Sequence, residues 1–417
     1  MTLSSQAPTD HVALRPWRVL AQSLKFPSEQ QRKWWLHTAP FLNSLLEQAG
    51  YSIHHQYSFL SFFQQYLVPA LGNFDHDSAS AFRSLSSDIY PLEMSTNHSS
   101  NGRLVRIGME PLSVHAGTSA DPLNQAALLL FLRELAIHFP HLDLLLVNHF
   151  ESCLSLSPEE YKVAISLPRT EGNTQARFAG FNFQRTGDIV PKAYYAFGAK
   201  AAIQGVSKTS LVFKTLRTID SYSSDPKYST AVSALEGFFT STGIEPFLVG
   251  TDCIESTKSR IKLYVRAPWF TSAGLRDLWT IGGRVDTPLA AKGLEIAQYF
   301  LGLLNYTPEQ TNVEPSFSAL LANYELKIGS PHPKPQIYFP LHKIDDETAA
   351  DILTRFFDYL GWQGIASNFK DSLISNMPSP LWKDNKKITK WAAYAYSEAG
   401  VYLTVYYNPA SAKAGSL

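Results

Sequence analysis

Cysteine is scarce in this 417-residue chain, which has only Cys153 and Cys253. Two cysteines exclude a disulfide framework and a cysteine-rich zinc site. Charge is also low: 36 basic and 36 acidic residues leave a formal net charge of zero, which argues against a nucleic-acid-binding protein. No apolar run approaches the ~18 residues of a membrane span, and residues 1–10 lack the pattern of a secretion signal. We therefore expect a reduced, cytoplasmic protein that contacts neither membrane nor nucleic acid.

Aromatic residues are plentiful by contrast: 25 Phe, 20 Tyr and 8 Trp make up 13% of the chain. The hydrophobic fraction of 45% is enough for a large core and argues against disorder over most of the sequence. Large cores commonly use aromatics, so composition alone favours that explanation over an aromatic-lined cavity. The polar residues 1–14 are expected to form a flexible N-terminal tail, and the length predicts two or three domains.

Helix and strand patterns alternate along the chain. Apolar spacing and start signals predict helices at 57–67, at 123–138 after an N-cap at Asp121, at 287–304, and from Asp345 to just before Gly361. Seven strands are predicted, at 103–108, 176–184, 189–197, 260–266, 336–341, 391–396 and 401–407. The turn 185–188 joins two of them as a hairpin, which indicates antiparallel pairing and excludes a Rossmann-type chain.

Several of these strands alternate polar and apolar residues, so each strand has one face of each kind. The strand at 260–266 has an apolar face and a face with Arg260, Lys262, Tyr264 and Arg266. Polar faces recur with Lys192 and Tyr194, with Gln336 and Tyr338, and with Tyr402, Thr404 and Tyr406. A solvated surface explains one such strand, but tyrosine is better suited to a damp cavity wall. If the strands close into one sheet, the polar faces line its lumen.

Four cations lie on these faces without a matching set of acids, namely Arg106, Lys192, Arg260 and Lys262. Such side chains can neutralise a diphosphate through charge-assisted hydrogen bonds. They are accompanied by Tyr194, Tyr264, Tyr338, Tyr402 and Tyr406. Each ring face stabilises a nearby cation by roughly 0.5–2 kcal/mol. The combination favours ionisation of an allylic diphosphate, in which basic residues hold the leaving group and tyrosines shield the carbocation from water.

The sequence offers no metal motif for that diphosphate. Class I terpenoid enzymes bind Mg²⁺ on DDxxD motifs, but the adjacent Asp345 and Asp346 have the wrong spacing and suit a helix N-terminus. The cluster of His138, His141, Asp143 and His149 also lacks a metal-ligand spacing. We therefore expect a site without metal or other cofactor, in which basic side chains take the place of Mg²⁺.

At these residues the chain resembles the fungal indole prenyltransferases of the dimethylallyltryptophan synthase type. The likeness is greatest to the branch that acts on tryptophan-containing cyclic dipeptides and benzodiazepinediones, and it extends from Trp17 to the C-terminal strand. It is carried by the segments 91–95 (PLEMS), 105–111 (VRIGMEP), 117–122 (GTSADP), 191–194 (PKAY), 258–264 (KSRIKLY), 334–338 (KPQIY) and 402–406 (YLTVY). The resemblance implies an α+β fold, an antiparallel β-barrel of about ten strands ringed by helices, over residues 15–417 as one domain.

The resemblance also implies roles for individual residues. The diphosphate would be bound by Arg106, Lys192, Arg260, Lys262 and Gln336, and the cation would be shielded by the same five tyrosines. Glu93 matches the carboxylate that accepts the indole N–H and so activates and orients the ring. Without the family match, a surface carboxylate would be the better interpretation of Glu93.

The acceptor pocket is expected to include Arg177, Phe181 and Trp391. Tryptophan-specific members of the family carry a lysine, proposed as a proton acceptor, near the position of Arg177. Arginine is a poor base because its pKa lies above ~12, which argues against free tryptophan as the acceptor. Glu93 would then remove the ring proton, directly or through water.

The sequence thus predicts a prenyltransferase that moves a dimethylallyl group from dimethylallyl diphosphate onto the indole of a tryptophan-containing cyclic dipeptide or related alkaloid. Two alternatives stay open. The acceptor can instead be free tryptophan, tyrosine or another non-indole aromatic, or the protein can be a non-catalytic carrier of aromatic ligands. Its partners would be the two small-molecule substrates, and it would act as a monomer or homodimer.

Overall fold

The computed structural model describes residues 15–74, 92–166, 175–304, 319–376 and 388–409, and the tail expected at 1–14 lies outside these ranges. The described strands are β1 (Leu92–Ser99), β2 (Gly102–Met109), β3 (Arg177–Phe183), β4 (Ile189–Ala196), β5 (Pro246–Asp252), β6 (Ile261–Ala267), β7 (Leu320–Leu326), β8 (Lys334–Pro340), β9 (Thr389–Ser397) and β10 (Gly400–Tyr407). Each strand pairs antiparallel with its neighbour in sequence, and β10 pairs with β1. The sheet is therefore a closed ten-stranded barrel.

Helices surround the barrel and connect alternate strands. The described α-helices are α1 (Pro16–Ser23), α2 (Glu29–Gln48), α3 (Ile53–Phe62), α4 (Ala127–His138), α5 (Leu145–Leu154), α6 (Pro158–Ala164), α7 (Gly198–Gln204), α8 (Lys208–Arg217), α9 (Asp220–Ser223), α10 (Pro226–Thr242), α11 (Ser272–Thr280), α12 (Pro288–Leu303), α13 (Asp346–Tyr359) and α14 (Gln363–Asn376). A π-helical turn, Phe63–Leu67, continues α3.

The connections alternate between two kinds, and this gives the barrel two distinct ends. Short turns join β1 to β2, β3 to β4, β5 to β6, β7 to β8 and β9 to β10, whereas helices separate each of these hairpins from the next. Because all neighbours are antiparallel, the five turns lie at one end of the barrel, here called the hairpin end. The helical connections leave and enter at the opposite end, here called the helix end.

Two hydrophobic clusters hold this arrangement together. The larger fills the space between the outer face of the barrel and the helices, and includes Ile261, Leu263 and Val265 of β6, all fully buried. The smaller lies inside the barrel and includes Phe178, Tyr264 and Tyr338. Burying one large apolar side chain contributes about 1.5–3 kcal/mol, so the outer cluster is the main source of stability. The inner cluster is too small to fill a ten-stranded lumen, which leaves a cavity.

The predicted barrel of about ten strands ringed by helices is confirmed, and all seven predicted strands are present within a few residues. The strands β1, β5 and β7 were missed. The helix predicted after Asp121 begins instead at Ala127, because Asn124 adopts a left-handed conformation with φ 51°. Asp121 still satisfies backbone donors there, since its carboxylate accepts from the N–H groups of Gln125 and Ala126.

Candidate active site

The lumen holds a cavity whose wall is set by strand alternation. Three strands running from the hairpin end to the helix end carry a polar residue followed two positions later by a tyrosine. These pairs are Lys192 and Tyr194 on β4, Lys262 and Tyr264 on β6, and Gln336 and Tyr338 on β8. All six line the cavity, which has about 1150 Å³ of empty space including its open mouth. Lys262 Nζ lies 3.3 Å from Gln336 Oε1, and successive rings of the three tyrosines lie 6.1 and 6.3 Å apart. The polar groups therefore form one level of the lumen and the tyrosines the next.

The polar level contains acids as well as cations, which corrects the expectation of four cations without matching carboxylates. Asp252 ends β5 at the hairpin end and accepts from Lys192 Nζ at 2.8 Å and from Arg260 Nε at 2.7 Å. Arg260 also reaches Glu325 of β7, with Nη1 3.4 Å from Oε2. Burial would raise the pKa of Asp252, but the two cations hold that pKa well below its usual range. The predicted cations thus belong to an ion-pair network with an excess of positive charge.

Both lysines of this network, Lys192 and Lys262, have a pKa below the usual value for lysine. Burial lowers the pKa of Lys262 to about 7, and neighbouring cations add to this effect while Glu325 opposes it. Burial likewise lowers the pKa of Lys192 to about 8, against the attraction of Asp252. Lys262 donates to Gln336 Oε1 at 3.3 Å, an acceptor without formal charge. An anion in the lumen would stabilise the protonated form of both lysines.

Arg106 and Tyr402 complete the hairpin side of the lumen. Arg106 lines the cavity and donates to the Tyr402 hydroxyl, and its guanidinium carbon lies 5.3 Å from the centre of that ring. Its Nε is buried and has no hydrogen-bond partner among the described residues. A half-buried guanidinium with one buried, unused donor fits an anionic ligand.

Four tyrosines form a continuous aromatic level below the cations, here called the tyrosine belt: Tyr194, Tyr264, Tyr338 and Tyr406. Successive ring centroids lie 6.1, 6.3 and 5.7 Å apart. The Tyr338 hydroxyl accepts a hydrogen bond from Asn323 at 2.9 Å. Burial raises the pKa of all four phenols above the usual range, so they stay neutral and offer π-faces to the lumen.

The helix end of the lumen is mostly apolar and holds Glu93. Glu93 is paired with Gly108 of β2. A Cβ atom added to Gly108 would lie 3.6 Å from Glu93 Oε1, so the carboxylate lies over this glycine. Glu93 is close enough to raise the pKa of Tyr194 and Tyr406 through its negative charge, as a lesser effect than burial. Trp391 lines the cavity at this end, and its ring lies 4.9 Å from that of His342. The other large side chains here are Phe178, Phe247, Leu248, Leu321 and Arg266.

Two predicted acceptor-pocket residues point away from the lumen. Arg177 is fully buried on the outer face of β3, where it donates to the carbonyl oxygens of Ala196 and Gln175. Phe181 is among the residues that border the cavity, but its ring packs against Phe62 at 5.5 Å on the same outer face. Neither side chain can therefore contact an acceptor held inside the barrel.

The physical reason for this correction is a shift of one residue in a hairpin. A four-residue turn at 185–188 would pair Lys192 with Phe181 and turn Phe181 and Arg177 inward. The structure pairs Lys192 with Gly180 instead, because the loop is one residue longer and includes Gly187 at φ 97°. One residue of register moves every side chain to the other face, so the inward positions of β3 are Phe178, Gly180 and Asn182.

Two further predicted residues border the cavity rather than line it. Arg260 lies at the hairpin end with its side chain 32% exposed and engaged by Asp252 and Glu325. Tyr402 reaches the lumen through its contact with Arg106. Sequence reasoning missed Asp252, Glu325 and Asn323, which lie on the unpredicted strands β5 and β7. A signal was present, because 248–252 (LVGTD) and 321–325 (LANYE) both place a leucine, a small or amide residue and an acid on one face.

The described residues contain no group of three or more His, Cys, Asp or Glu side chains that could hold a metal ion. Within the same ranges, no helix combines the length and the apolar character needed to cross a membrane.

The fold and site together are those of a barrel prenyltransferase, and comparison with known proteins agrees. The family model for tryptophan dimethylallyltransferase matches residues 30–372. Indole diterpene prenyltransferase anaPT of Neosartorya fischeri is 37% identical over 414 residues, covering 96% of this chain and 93% of that protein. Its crystal structure matches with a TM-score of 0.87 at 36% identity, covering 97% of this chain and all of the other.

A second solved structure, NotF in complex with brevianamide F and DMSPP, matches with a TM-score of 0.84 at 28% identity, covering 95% and 99% of the two chains. Trans-prenyltransferase abpB of Aspergillus terreus is 34% identical over 368 residues, or 87% of this chain and 95% of that protein. The chain belongs to the tryptophan dimethylallyltransferase family and is a prenyltransferase.

Proposed function

We propose that the protein transfers a dimethylallyl group from dimethylallyl diphosphate to the indole ring of a tryptophan-containing cyclic dipeptide or related alkaloid, without a metal ion. The observation that carries the proposal is the order of levels in one lumen. Cations lie at the hairpin end, the tyrosine belt lies below them, and Glu93 lies among apolar side chains at the helix end. Each level matches one requirement of an electrophilic aromatic substitution.

The first step is cleavage of the bond between the allylic carbon and the diphosphate oxygen. The diphosphate leaves with the bonding electron pair, and we assign its binding to Arg106, Lys192 and Lys262, with Gln336 and Arg260 beside them. Their positive excess stabilises the charge that develops on the leaving group. The lowered pKa of both lysines supports this assignment, because an arriving anion restores their protonated form.

The second step is attack by an indole carbon on the dimethylallyl cation, which forms a carbon–carbon bond. The tyrosine belt, with Tyr402 beside Arg106, would surround the cation with π-faces and exclude water that would otherwise capture it. Glu93 would accept the indole N–H and hold the ring at the belt. The ring then loses the proton from the attacked carbon, and we assign its removal to Glu93, directly or through water.

The choice of acceptor class rests on the resemblance of the sequence to the cyclic dipeptide branch of the family. The helix end of the cavity supports it, because Phe178, Leu321 and Trp391 offer apolar surface to a bulky acceptor. The cytoplasmic location, the single domain over 15–417 and the monomeric or dimeric state stay predictions from the sequence.

A product assay tests the proposal. The protein is incubated with dimethylallyl diphosphate and EDTA, with tryptophan, several cyclo-Trp-Xaa dipeptides or a tyrosine derivative as acceptor, and products are identified by mass. We expect a gain of one prenyl unit on the cyclic dipeptides. Product only on tryptophan or tyrosine would contradict the acceptor class. Product only after addition of Mg²⁺ would contradict metal independence, and no product in any condition would favour a carrier.

A further inference from the structure

We propose that Gly250, assisted by Gly180, is a positioning residue that lets the ring of Tyr194 lie along the barrel wall with one face toward the dimethylallyl cation. This inference rests on the proposed function. Gly250 lies directly opposite Tyr194 on β5, and Gly180 lies on β3, the other neighbour of β4. On β3 the residue directly opposite Tyr194 is Phe178, and Gly180 lies diagonally, two residues nearer the hairpin end. Tyr194 therefore has a glycine directly opposite on one side and a glycine diagonal to it on the other.

The distances show that the missing side chains make room for the ring. A Cβ on Gly250 would lie 2.4 Å from Cδ1 and 2.6 Å from Cε1 of Tyr194, closer than such atoms can approach. A Cβ on Gly180 would lie 3.1 Å from Cε2 and 3.4 Å from the hydroxyl oxygen of the same ring. One edge of the ring thus lies against Gly250 and the opposite edge against Gly180. We infer that the ring lies along the barrel wall and presents a face to the lumen.

The backbone gives no other reason for glycine at these positions. The φ of neither residue lies in the left-handed region, unlike Gly187 in the preceding hairpin turn. Glycine inside a strand weakens it, because its backbone is flexible and it has no side chain to pack. Two such glycines flanking one tyrosine are therefore explained by the ring that they accommodate.

The orientation matters because an aromatic ring is electrostatically uneven. Its face is negative and attracts a cation, whereas its edge is positive. Tyr194 follows Lys192 by two residues on the same face, so its ring lies next to the place where the diphosphate would leave. A methyl group at position 250 would push the ring off the wall, turn its edge toward the cation and narrow the lumen.

Glycine-to-alanine variants test this role. We expect Gly250→Ala to lower kcat for prenyl transfer by about tenfold, the factor that corresponds to one lost cation–π contact, and to raise the share of dimethylallyl captured by water as prenyl alcohol. Gly180→Ala should act in the same direction but less, because its methyl group conflicts less with the ring. Gly302→Ala on α12, where no atom lies within 4 Å of the added methyl, is the matched control and should keep wild-type values.

A second genetic background distinguishes an effect of Gly250→Ala on the Tyr194 ring from an effect on the strand itself. In Tyr194→Leu, which has no ring to displace, Gly250→Ala should change kcat and the alcohol fraction little. An equal loss in both backgrounds, or an unchanged alcohol fraction in active Gly250→Ala protein, would overturn the inference. If Gly250→Ala does not fold by circular dichroism, the same comparison with Gly180→Ala decides. Wild-type protein that forms no prenylated product would contradict the proposed function itself, and this inference with it.

Discussion

The two ends of the lumen are formed by the same ten strands but differ in the polarity of their side chains. At the hairpin end, Lys192, Arg260 and Asp252 form ion pairs of 2.7–2.8 Å. At the helix end, Glu93 and Arg266 lie among large apolar side chains. A diphosphate carries the same charges whatever acceptor is used, whereas an acceptor is recognised by its shape. On the proposed function, the hairpin end would bind the one donor and the helix end would set the choice of acceptor.

The hairpin end also shows how a protein keeps cations close together before the ligand arrives. Two carboxylates offset part of the charge, and burial lowers the pKa of two lysines. The positive excess of the empty site is thus reduced, and both lysines become fully protonated when an anion binds. The helix end needs no such arrangement, because its large side chains interact with a ligand through contact area.

The largest expected effect comes from Glu93 at the helix end. Glu93→Gln keeps the size of the side chain but removes its charge, so the indole N–H loses its anionic acceptor and the ring proton its base. We expect kcat to fall by about 10²–10⁴ while KM for dimethylallyl diphosphate stays near the wild-type value. Steady-state kinetics measure both, with circular dichroism as the check on folding. A variant with full activity would contradict the role assigned to Glu93.

Removing the central acid of the hairpin end should mainly cost stability. Asp252→Asn leaves Lys192 and Arg260 without their shared counterion in a buried site, and we expect a loss of about 3 kcal/mol in the free energy of unfolding. Inorganic diphosphate should raise the melting temperature of this variant more than that of the wild type, because it supplies the missing negative charge. Thermal unfolding with and without diphosphate measures this. An equal or smaller rise in the variant would argue against diphosphate binding at this network.

The lowered pKa of Lys262 predicts that KM for dimethylallyl diphosphate depends on pH, whereas KM for the acceptor does not. Below pH 7 the lysine of the empty site is protonated and ready to bind an anion. Above pH 7 it is increasingly neutral and must take up a proton on binding, so KM for dimethylallyl diphosphate should rise by up to about tenfold per pH unit. Lys262→Arg stays charged and should flatten this rise, which also controls for titration of the substrate itself. The same slope in both proteins would exclude Lys262 as the titrating group.

The smallest effect on catalysis is expected for Arg177, which lies outside the lumen. Arg177→Gln loses charged hydrogen bonds to buried carbonyl groups, and we expect the free energy of unfolding to fall by about 1–3 kcal/mol. Both KM values and kcat of the folded protein should stay unchanged. Denaturant unfolding and kinetics on the same preparation test this. A several-fold change in KM for the acceptor alone would return Arg177 to the acceptor site.

The sequence predicts those elements whose pattern lies within a short segment, but not features that depend on which strands pair. Strand β6 was found because Ile261, Leu263 and Val265 alternate with polar residues without interruption. Strand β5 contains Pro246 and Gly250, and β7 is rich in Leu, Ala and Glu, which favour helices; closure of the barrel overrides both preferences. Their acids were therefore missed.

Pairing across strands was the other limit. Lys192 meets Asp252 only because β4 lies beside β5, which no local pattern reveals. Arg177 and Phe181 were expected in the acceptor pocket, but the length of one turn sets the register of the whole hairpin and turns both side chains to the outer face. The family resemblance named the cations and the tyrosines correctly as neighbours, but it did not include the acids that hold the cations or the glycines beside Tyr194.

The most direct test of the central claim is a crystal structure with a non-reactive thiodiphosphate analogue of the donor and a cyclo-Trp dipeptide bound together. The account predicts diphosphate oxygens within about 2.7–3.2 Å of Arg106, Lys192 and Lys262, and the indole N–H on Glu93, with the tyrosine belt between them. An acceptor seated among the cations, or a diphosphate bound at the helix end, would contradict the division of the lumen into donor and acceptor ends.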